Sequence, residues 1–142
     1  MAINFPSNPS LNQTFNTVGI TYIWNGKQWI GSASDLIAGI IDTGIVTTSS
    51  ISPETIISIS ASTYRSAQYQ VQVTEGTNYN MTTINVIHDG VDTYMSEYGT
   101  INQPIGIATF SSDINGGALR LIGYPAFTSS TTFKVIFTAI ES

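Results

Sequence analysis

Between Tyr64 and Thr74 the chain alternates without a slip: Tyr69, Val71 and Val73 fall on one side of an extended backbone, Gln68, Gln70 and Gln72 on the other. A period of two belongs to a strand with one buried face, because successive side chains on a pleated backbone point to opposite sides. The stretch from Tyr64 to Tyr98 therefore reads as at least two strands joined by tight turns, with Glu75-Gly76 closing the first and His88-Asp89-Gly90 forming a hairpin turn of the Asp-Gly type. Everything downstream continues in the same rhythm.

Ile84 and Val86 alternate with Asn85, a further strand runs from about Asp92 to Tyr98, and Gly99 is expected to end it. Ile105, Ile107 and Thr109 alternate with Gly106, Ala108 and Phe110; Asn115-Gly116-Gly117 then turns the chain into a strand from Ala118 to Tyr124, stopped by Pro125. The last strand, Thr132 to Ile140, sets Phe133, Val135, Phe137 and Ala139 against Lys134, Ile136, Thr138 and Ile140. Both of its faces are largely apolar, as in a central strand or one lying against another subunit. Six strands separated by Gly, Asn, Asp and Pro at spacings of roughly 8 to 12 residues predict an all-β fold, an antiparallel β-sandwich or jelly-roll, over residues 63–142.

Residues 1–31 read as a small N-terminal hairpin module. Phe5-Pro6 and Asn8-Pro9 are extended or turn dipeptides. Ile20, Tyr22 and Trp24 alternate with Thr21 and Ile23, and Asn25-Gly26 predicts a type I′ turn leading back through Gln28, Trp29 and Ile30. An isolated hairpin is marginal in water, so Phe5, Phe15, Tyr22, Trp24 and Trp29 are expected to cluster, to stack on a ligand, or to dock on a partner. Residues 32–62, rich in Ile, Ser and Thr, read as a connector of extended segments with at most one helical turn, capped by Ser34 and containing Asp35, Leu36, Ile37, Ala38, Ile40 and Ile41. Its isoleucines are a liability in a monomer, which points to neighbouring chains that cover them.

Charge narrows the function classes. Only 9% of residues are charged, against about 25% in ordinary globular proteins, and Thr, Ser, Asn, Gln and Gly take their place. The net charge is −5, and the four cations, Lys27, Arg65, Arg120 and Lys134, are scattered. Nucleic-acid binding needs cations clustered against phosphates, so it is not expected. There is no cysteine, hence no disulfide or thiolate chemistry. No apolar run approaches the roughly 18 residues of a membrane span, and the segment MAINFPSNPS has neither the basic nor the apolar region of a secretory signal. A soluble protein made in a cytoplasm is expected.

Catalytic equipment is hard to assemble. His88 is the single histidine, and neighbouring residues of a strand point oppositely, which makes Asp89 a poor orienting partner for it. Asp89, Asp92 and Glu97, or Asp113 with Asn115, offer oxygens to calcium, but Asp and Asn also open turns by bonding their own backbone. Asn115-Gly116-Gly117 precedes a strand, not a helix, and so fails as a phosphate loop. No catalytic residue, metal or cofactor is expected. A carbohydrate-binding surface is the more credible ligand site, with Tyr64, Tyr69, Tyr79, Tyr94, Tyr98 and Tyr124 among many amides and hydroxyls; the same rings also suit a sandwich core.

The opening segment resembles a short module of tailed-bacteriophage structural proteins, F-P-x-x-P-x-x-x-Q followed by Y-x-W-x-G-x-x-W, matched here by Phe5, Pro6, Pro9, Gln13, Tyr22, Trp24, Gly26 and Trp29. The usual glycine before the glutamine is Asn12. The stretch from Tyr64 to Ile101, with ATFSSDINGGALRLIGYP behind it, is similar to a C-terminal domain of virion proteins from phages of marine cyanobacteria and other aquatic bacteria. The resemblance implies a non-enzymatic virion component, made in the bacterial host cytoplasm: a capsid decoration or cement protein, usually trimeric, that stabilises the shell. On that reading Phe5, Tyr22, Trp24 and Trp29 bind the major capsid protein or another virion protein, and Ile40, Ile41, Ile136 and Ile140 join the subunits. The rival is a short tail or head fibre that binds host glycan through its tyrosine-rich face; a polysaccharide depolymerase ranks last.

Overall fold

The computed structural model describes residues 4–17, 20–31 and 39–142, which divide into two units, Met1–Ala38 and Gly39–Ser142. In the first unit, β1 (Thr14–Thr17), β2 (Ile20–Trp24) and β3 (Trp29–Gly31) form a three-stranded antiparallel sheet in that order. The hairpin between β2 and β3 is not the expected type I′ turn. Trp24 pairs with Trp29, so four residues form the loop. Asn25 Oδ1 accepts from Lys27 N at 2.9 Å and from Gln28 N at 2.8 Å, and positive φ is confined to Gly26, at 91°. A side-chain carboxamide thus does what a second left-handed residue would have done.

The tract before β1 explains why its residue types matter. Gln13 Oε1 accepts from Ser10 N at 2.8 Å, and Gln13 N donates back to Ser10 O at 2.9 Å. Between them Asn12 sits at φ 65°, in the left-handed region that Gly occupies freely and Asn tolerates. The glycine-to-asparagine departure noted in the sequence therefore leaves the turn intact.

In the second unit, residues 39–62 are not a connector. They supply β4 (Gly39–Thr48) and β5 (Glu54–Ser60), so that Ile40 and Ile41, expected in a helical turn, lie in a strand. Ser34 to Ala38 lie outside the described residues. The reason is tertiary: a run of β-branched residues finds an open ladder beside the last strand, where its β-propensity is satisfied. The remaining strands are β6 (Tyr64–Glu75), β7 (Asn78–His88), β8 (Thr93–Gln103), β9 (Ala108–Asn115), β10 (Ala118–Pro125) and β11 (Thr131–Glu141). They form a five-stranded sheet, β4-β11-β6-β7-β8, and a three-stranded sheet, β5-β10-β9, all neighbours antiparallel. The fold is all-β and sandwich-like, and the described residues contain no helix long and apolar enough to cross a membrane.

The core lies between the two sheets. Tyr69, Val71, Val73, Ile84, Phe133 and Phe137 come from the large sheet, and Ile57, Ile59, Leu119 and Leu121 from the small one. β11 is central, as its apolar residues suggested, with β4 and β6 on either side. Ile56 and Ile57 are both buried although adjacent, because the register against β10 shifts between Leu121 and Ile122 and turns one extra residue inward. A methyl group at Gly123 would stand 2.7 Å from Ile56 and 2.8 Å from the Phe133 ring, so the bare backbone there makes room for both side chains. Two further expectations shift. β8 continues through Gly99 to Gln103, and the strand expected from Ile105 begins only at Ala108, with Ile107 fully buried in the preceding loop.

Candidate functional site

The aromatic residues of the first unit face one another. Phe5 stacks on Trp29 with ring centroids 5.6 Å apart and planes 12° from parallel, meets Tyr22 edge-on at 5.0 Å, and lies 5.5 Å from Phe15. Trp24 and Phe15 complete the group against Trp29, at 5.7 and 6.0 Å. Of the three expectations for these rings, clustering is what the geometry presents: Phe5, Tyr22, Trp24 and Trp29 are half-buried in one another, the small core that a three-stranded sheet needs.

The second unit carries its apolar surplus outside. Alternate residues of the five-stranded sheet face away from the core: Ile41 and Ile45 on β4, Ile136 and Ile140 on β11, Met81 and Ile87 on β7, and Tyr94, Tyr98 and Ile101 on β8. Ile41, Ile45, Ile136 and Ile140 are 72%, 69%, 55% and 60% exposed. Among the described outward positions of these five strands the one charge is Lys134. Ile40 departs from its expected place: it faces inward and packs against the core, because it is one residue out of phase with Ile41 on a strand of period two. Two shallow depressions mark this outer face. One, of about 590 Å³, lies among Ser66, Gln68, Asn85, Tyr94 and Ile140; the other, of about 370 Å³, among Ile45, Gln70, Met81 and Ile136.

The tyrosines do not form one surface. Tyr69 is core, Tyr64 packs against the core, Tyr79, Tyr94 and Tyr98 are exposed on the outer face, and Tyr124 belongs to the small sheet. On the outer face Gln68 Nε2 donates to Asn85 Oδ1 at 3.0 Å and to the Tyr98 hydroxyl at 3.1 Å, which orders an amide and phenol patch.

The titratable groups at the turn after β7 have structural partners. His88 is buried, with Nε2 at 2.7 Å from Tyr64 O, and its own carbonyl accepts from Arg65 at 3.2 Å. Asp89 Oδ1 accepts from Asp92 N and Val91 N, both at 2.9 Å, and Oδ2 accepts from the Tyr94 hydroxyl at 3.1 Å. Those donors hold the Asp89 carboxyl below its ordinary range, the Asp92 amide most of all, and the Asp89 carboxylate, as acceptor and as a negative charge, in return pushes the Tyr94 phenol up. The loop repeats the Asn25 design with Asp in place of Asn. Asp113 is lowered chiefly by its hydrogen bonds from Arg120, a bidentate pair across β9 and β10 with Nε to Oδ1 at 2.7 Å. No cluster of three or more histidine or acidic side chains suited to a metal occurs among the described residues.

No family model and no curated protein matches the chain. Among solved structures, the tailspike of Acinetobacter baumannii phage AM24 is similar over 74% of this chain and 26% of its own, with TM-score 0.43 and 10% identity. The tailspike of Acinetobacter phage vB_ApiP_P1 is similar over 100% of this chain and 25% of its own, with TM-score 0.41 and 16% identity. The chain spans about a quarter of the length of these tailspikes.

Proposed function

We propose that the chain is a non-enzymatic structural module of a tailed-phage particle, a fibre subunit rather than a shell decoration, which assembles with copies of itself through the outer face of the five-stranded sheet. The observation that carries this reading is that face: isoleucine, methionine and tyrosine side chains exposed on β4, β11, β7 and β8, on either side of a glutamine row on β6, with a single charge among the outward positions. Monomeric soluble proteins rarely leave this many large apolar side chains exposed on one sheet face, and permanent interfaces bury about 2,000 Å² or more of core-like area. Both edges of the sheet, β4 and β8, are long strands with hydrogen-bonded neighbours on one side only, and self-association is one way to cover such edges.

The contacts among the aromatic residues support a fibre over a shell decoration. Phe5, Tyr22, Trp24 and Trp29, expected to grip a capsid, are engaged with each other, whereas the exposed apolar area belongs to the sandwich. The non-enzymatic reading is supported by His88 and Asp89, whose side chains hold a strand end and a turn.

Light scattering coupled to size exclusion tests the assembly. The expected result is an oligomer for the full chain and a folded monomer for Ile45→Glu/Ile136→Glu; a wild-type monomer at the highest soluble concentration would sink the reading. Labelled virions imaged by electron microscopy then separate the two positions, since label over the capsid shell favours decoration and label on fibres or tail favours this assignment.

A further inference from the structure

The edges of the two sheets are joined at one end and parted at the other. Thr93, the first residue of β8, donates through Oγ1 to Ser112 O at 2.8 Å, and Ser112 Oγ donates to Thr93 Oγ1 at 2.9 Å. Further along β8 a cleft of about 430 Å³ stands between the sheets, lined by Asn80, Glu97, Thr100 and Asn102 from the large sheet and by Tyr124 from the small one. A volume of this order suits a small ligand.

The polar groups in it are held from behind. Thr82, buried, bonds Thr100 at 2.8 Å, and Thr100 Oγ1 donates to Glu97 Oε1 at 3.1 Å, so the carboxylate is steered by a hydroxyl relay. The Tyr124 ring is fixed by its hydroxyl on Ser111 Oγ at 2.9 Å. At the floor the Asn80 amide donates to Asn102 Oδ1, while Asn80 Oδ1, on a residue 3% exposed, has no partner. Buried polar atoms without partners are uncommon in folded proteins and call for a donor. Ala108, Pro125 and Ala126 supply an apolar wall beside the phenol.

We propose that this cleft binds one or two neutral sugar rings of a glycan. The chemistry matches group by group. A carboxylate accepts from neighbouring sugar hydroxyls through charge-assisted bonds. Two carboxamides donate and accept, and turning the Asn102 amide aside admits a ligand hydroxyl to the unpartnered Asn80 oxygen. The ring of Tyr124 with the proline and alanine wall covers the C–H face of a pyranose. Glu97 is the one charged residue lining the cleft, so it discriminates against acidic sugars. This site is separate from the outer-face tyrosines and does not depend on the assembly proposed above.

Saturation-transfer NMR and calorimetry on the full chain test the proposal, with glucose, N-acetylglucosamine and lactose as neutral probes and glucuronate as the acidic one. At least one neutral sugar is expected to bind while glucuronate does not. Glu97→Gln, nearly isosteric at an exposed position, should weaken binding about tenfold, the loss of one charge-assisted contact, and Asn102→Ala should weaken it as well. Tyr94→Ala on the outer face should leave it unchanged. No binding by any neutral sugar, equal binding of glucuronate, or binding that survives Glu97→Gln but falls with Tyr94→Ala would each overturn the site. Measuring oligomeric state on the Glu97→Gln sample, and sugar binding on the Ile45→Glu/Ile136→Glu variant, keeps failure of the cleft distinct from failure of the assembly.

Discussion

The two faces of the five-stranded sheet are made of the same kinds of residue put to different uses. Along β11, Phe133, Val135, Phe137 and Ala139 are buried against the small sheet, and the residues between them, Lys134, Ile136, Thr138 and Ile140, are exposed. The inner face is closed by this chain alone and makes the sandwich. The outer face carries exposed isoleucines, a methionine and tyrosines among amides and hydroxyls, and nothing in the described unit covers it. On the proposed reading one strand encodes a fold through its odd residues and an association through its even ones, and the contrast is sharp enough to break experimentally.

The largest effect is expected inside. Phe133→Ala removes a fully buried ring that touches Phe110 edge-on at 6.2 Å, and should cost about 3–5 kcal/mol of stability by chemical denaturation. Ile136→Ala, three residues along the same strand, should change the stability of the isolated subunit by no more than about 0.5 kcal/mol, since surface substitutions that break no special feature are nearly neutral. If the two variants cost the same, Ile136 is already covered within one chain and the division between the faces fails.

How much of this was readable in the sequence follows from the same alternation. The buried set of β6 and of β11 could be read residue by residue because a one-residue slip inverts a strand, and the pattern permits one phase only. Ile40 and Ile41 show the same rule from the other side: expected in a helical turn and together at one interface, they lie on a strand, where neighbours cannot share a face. β4 and β5 were missed because short runs of Ile, Ser and Thr broken by Gly44 and Pro53 carry no clear period, and what makes them strands is a ladder supplied by β11 and β10, far along the chain. The Asn25 and Asp89 loops were placed correctly and typed wrongly, because a carboxamide or carboxylate that accepts two backbone N–H groups replaces the second positive φ that the Asn-Gly and Asp-Gly signals imply. The cleft was invisible for a different reason. Asn80, Glu97, Asn102 and Tyr124 come from three strands, and only the pairing of Asn80 with Asn102 and the packing of the sheets bring them together.

A smaller effect tests the inner face for a flaw. Tyr69 is fully buried between the sheets, 5.7 Å from the ring of Phe137, and its hydroxyl has no partner. Burial pushes the phenol well above its ordinary pKa, since nothing there would solvate the phenolate. Tyr69→Phe should therefore leave stability unchanged or raise it by about 1 kcal/mol, the desolvation penalty of an unbonded hydroxyl. A loss on that substitution would mean that the hydroxyl has a partner such as a bound water, and that the inner face is less dry than the outer one is exposed.

The smallest effect belongs to the turn between β7 and β8. The Asp89 carboxyl is lowered in the folded state by the Asp92 and Val91 amides, so its contribution to stability is present above its unfolded pKa and is lost as pH falls through the lower folded value. Below about pH 4 the wild type should lose melting temperature partly through this group, with Glu75 and Asp113, also lowered, adding to the same slope. Asp89→Asn retains an oxygen that accepts from both amides, as Asn25 does in the first unit, and removes the titration. Its melting temperature should match the wild type near neutral pH and fall less steeply in acid. An identical acid slope would show that the turn amides bond Asp89 as strongly in its protonated form, which would leave Glu75 and Asp113 as the source of the acid sensitivity.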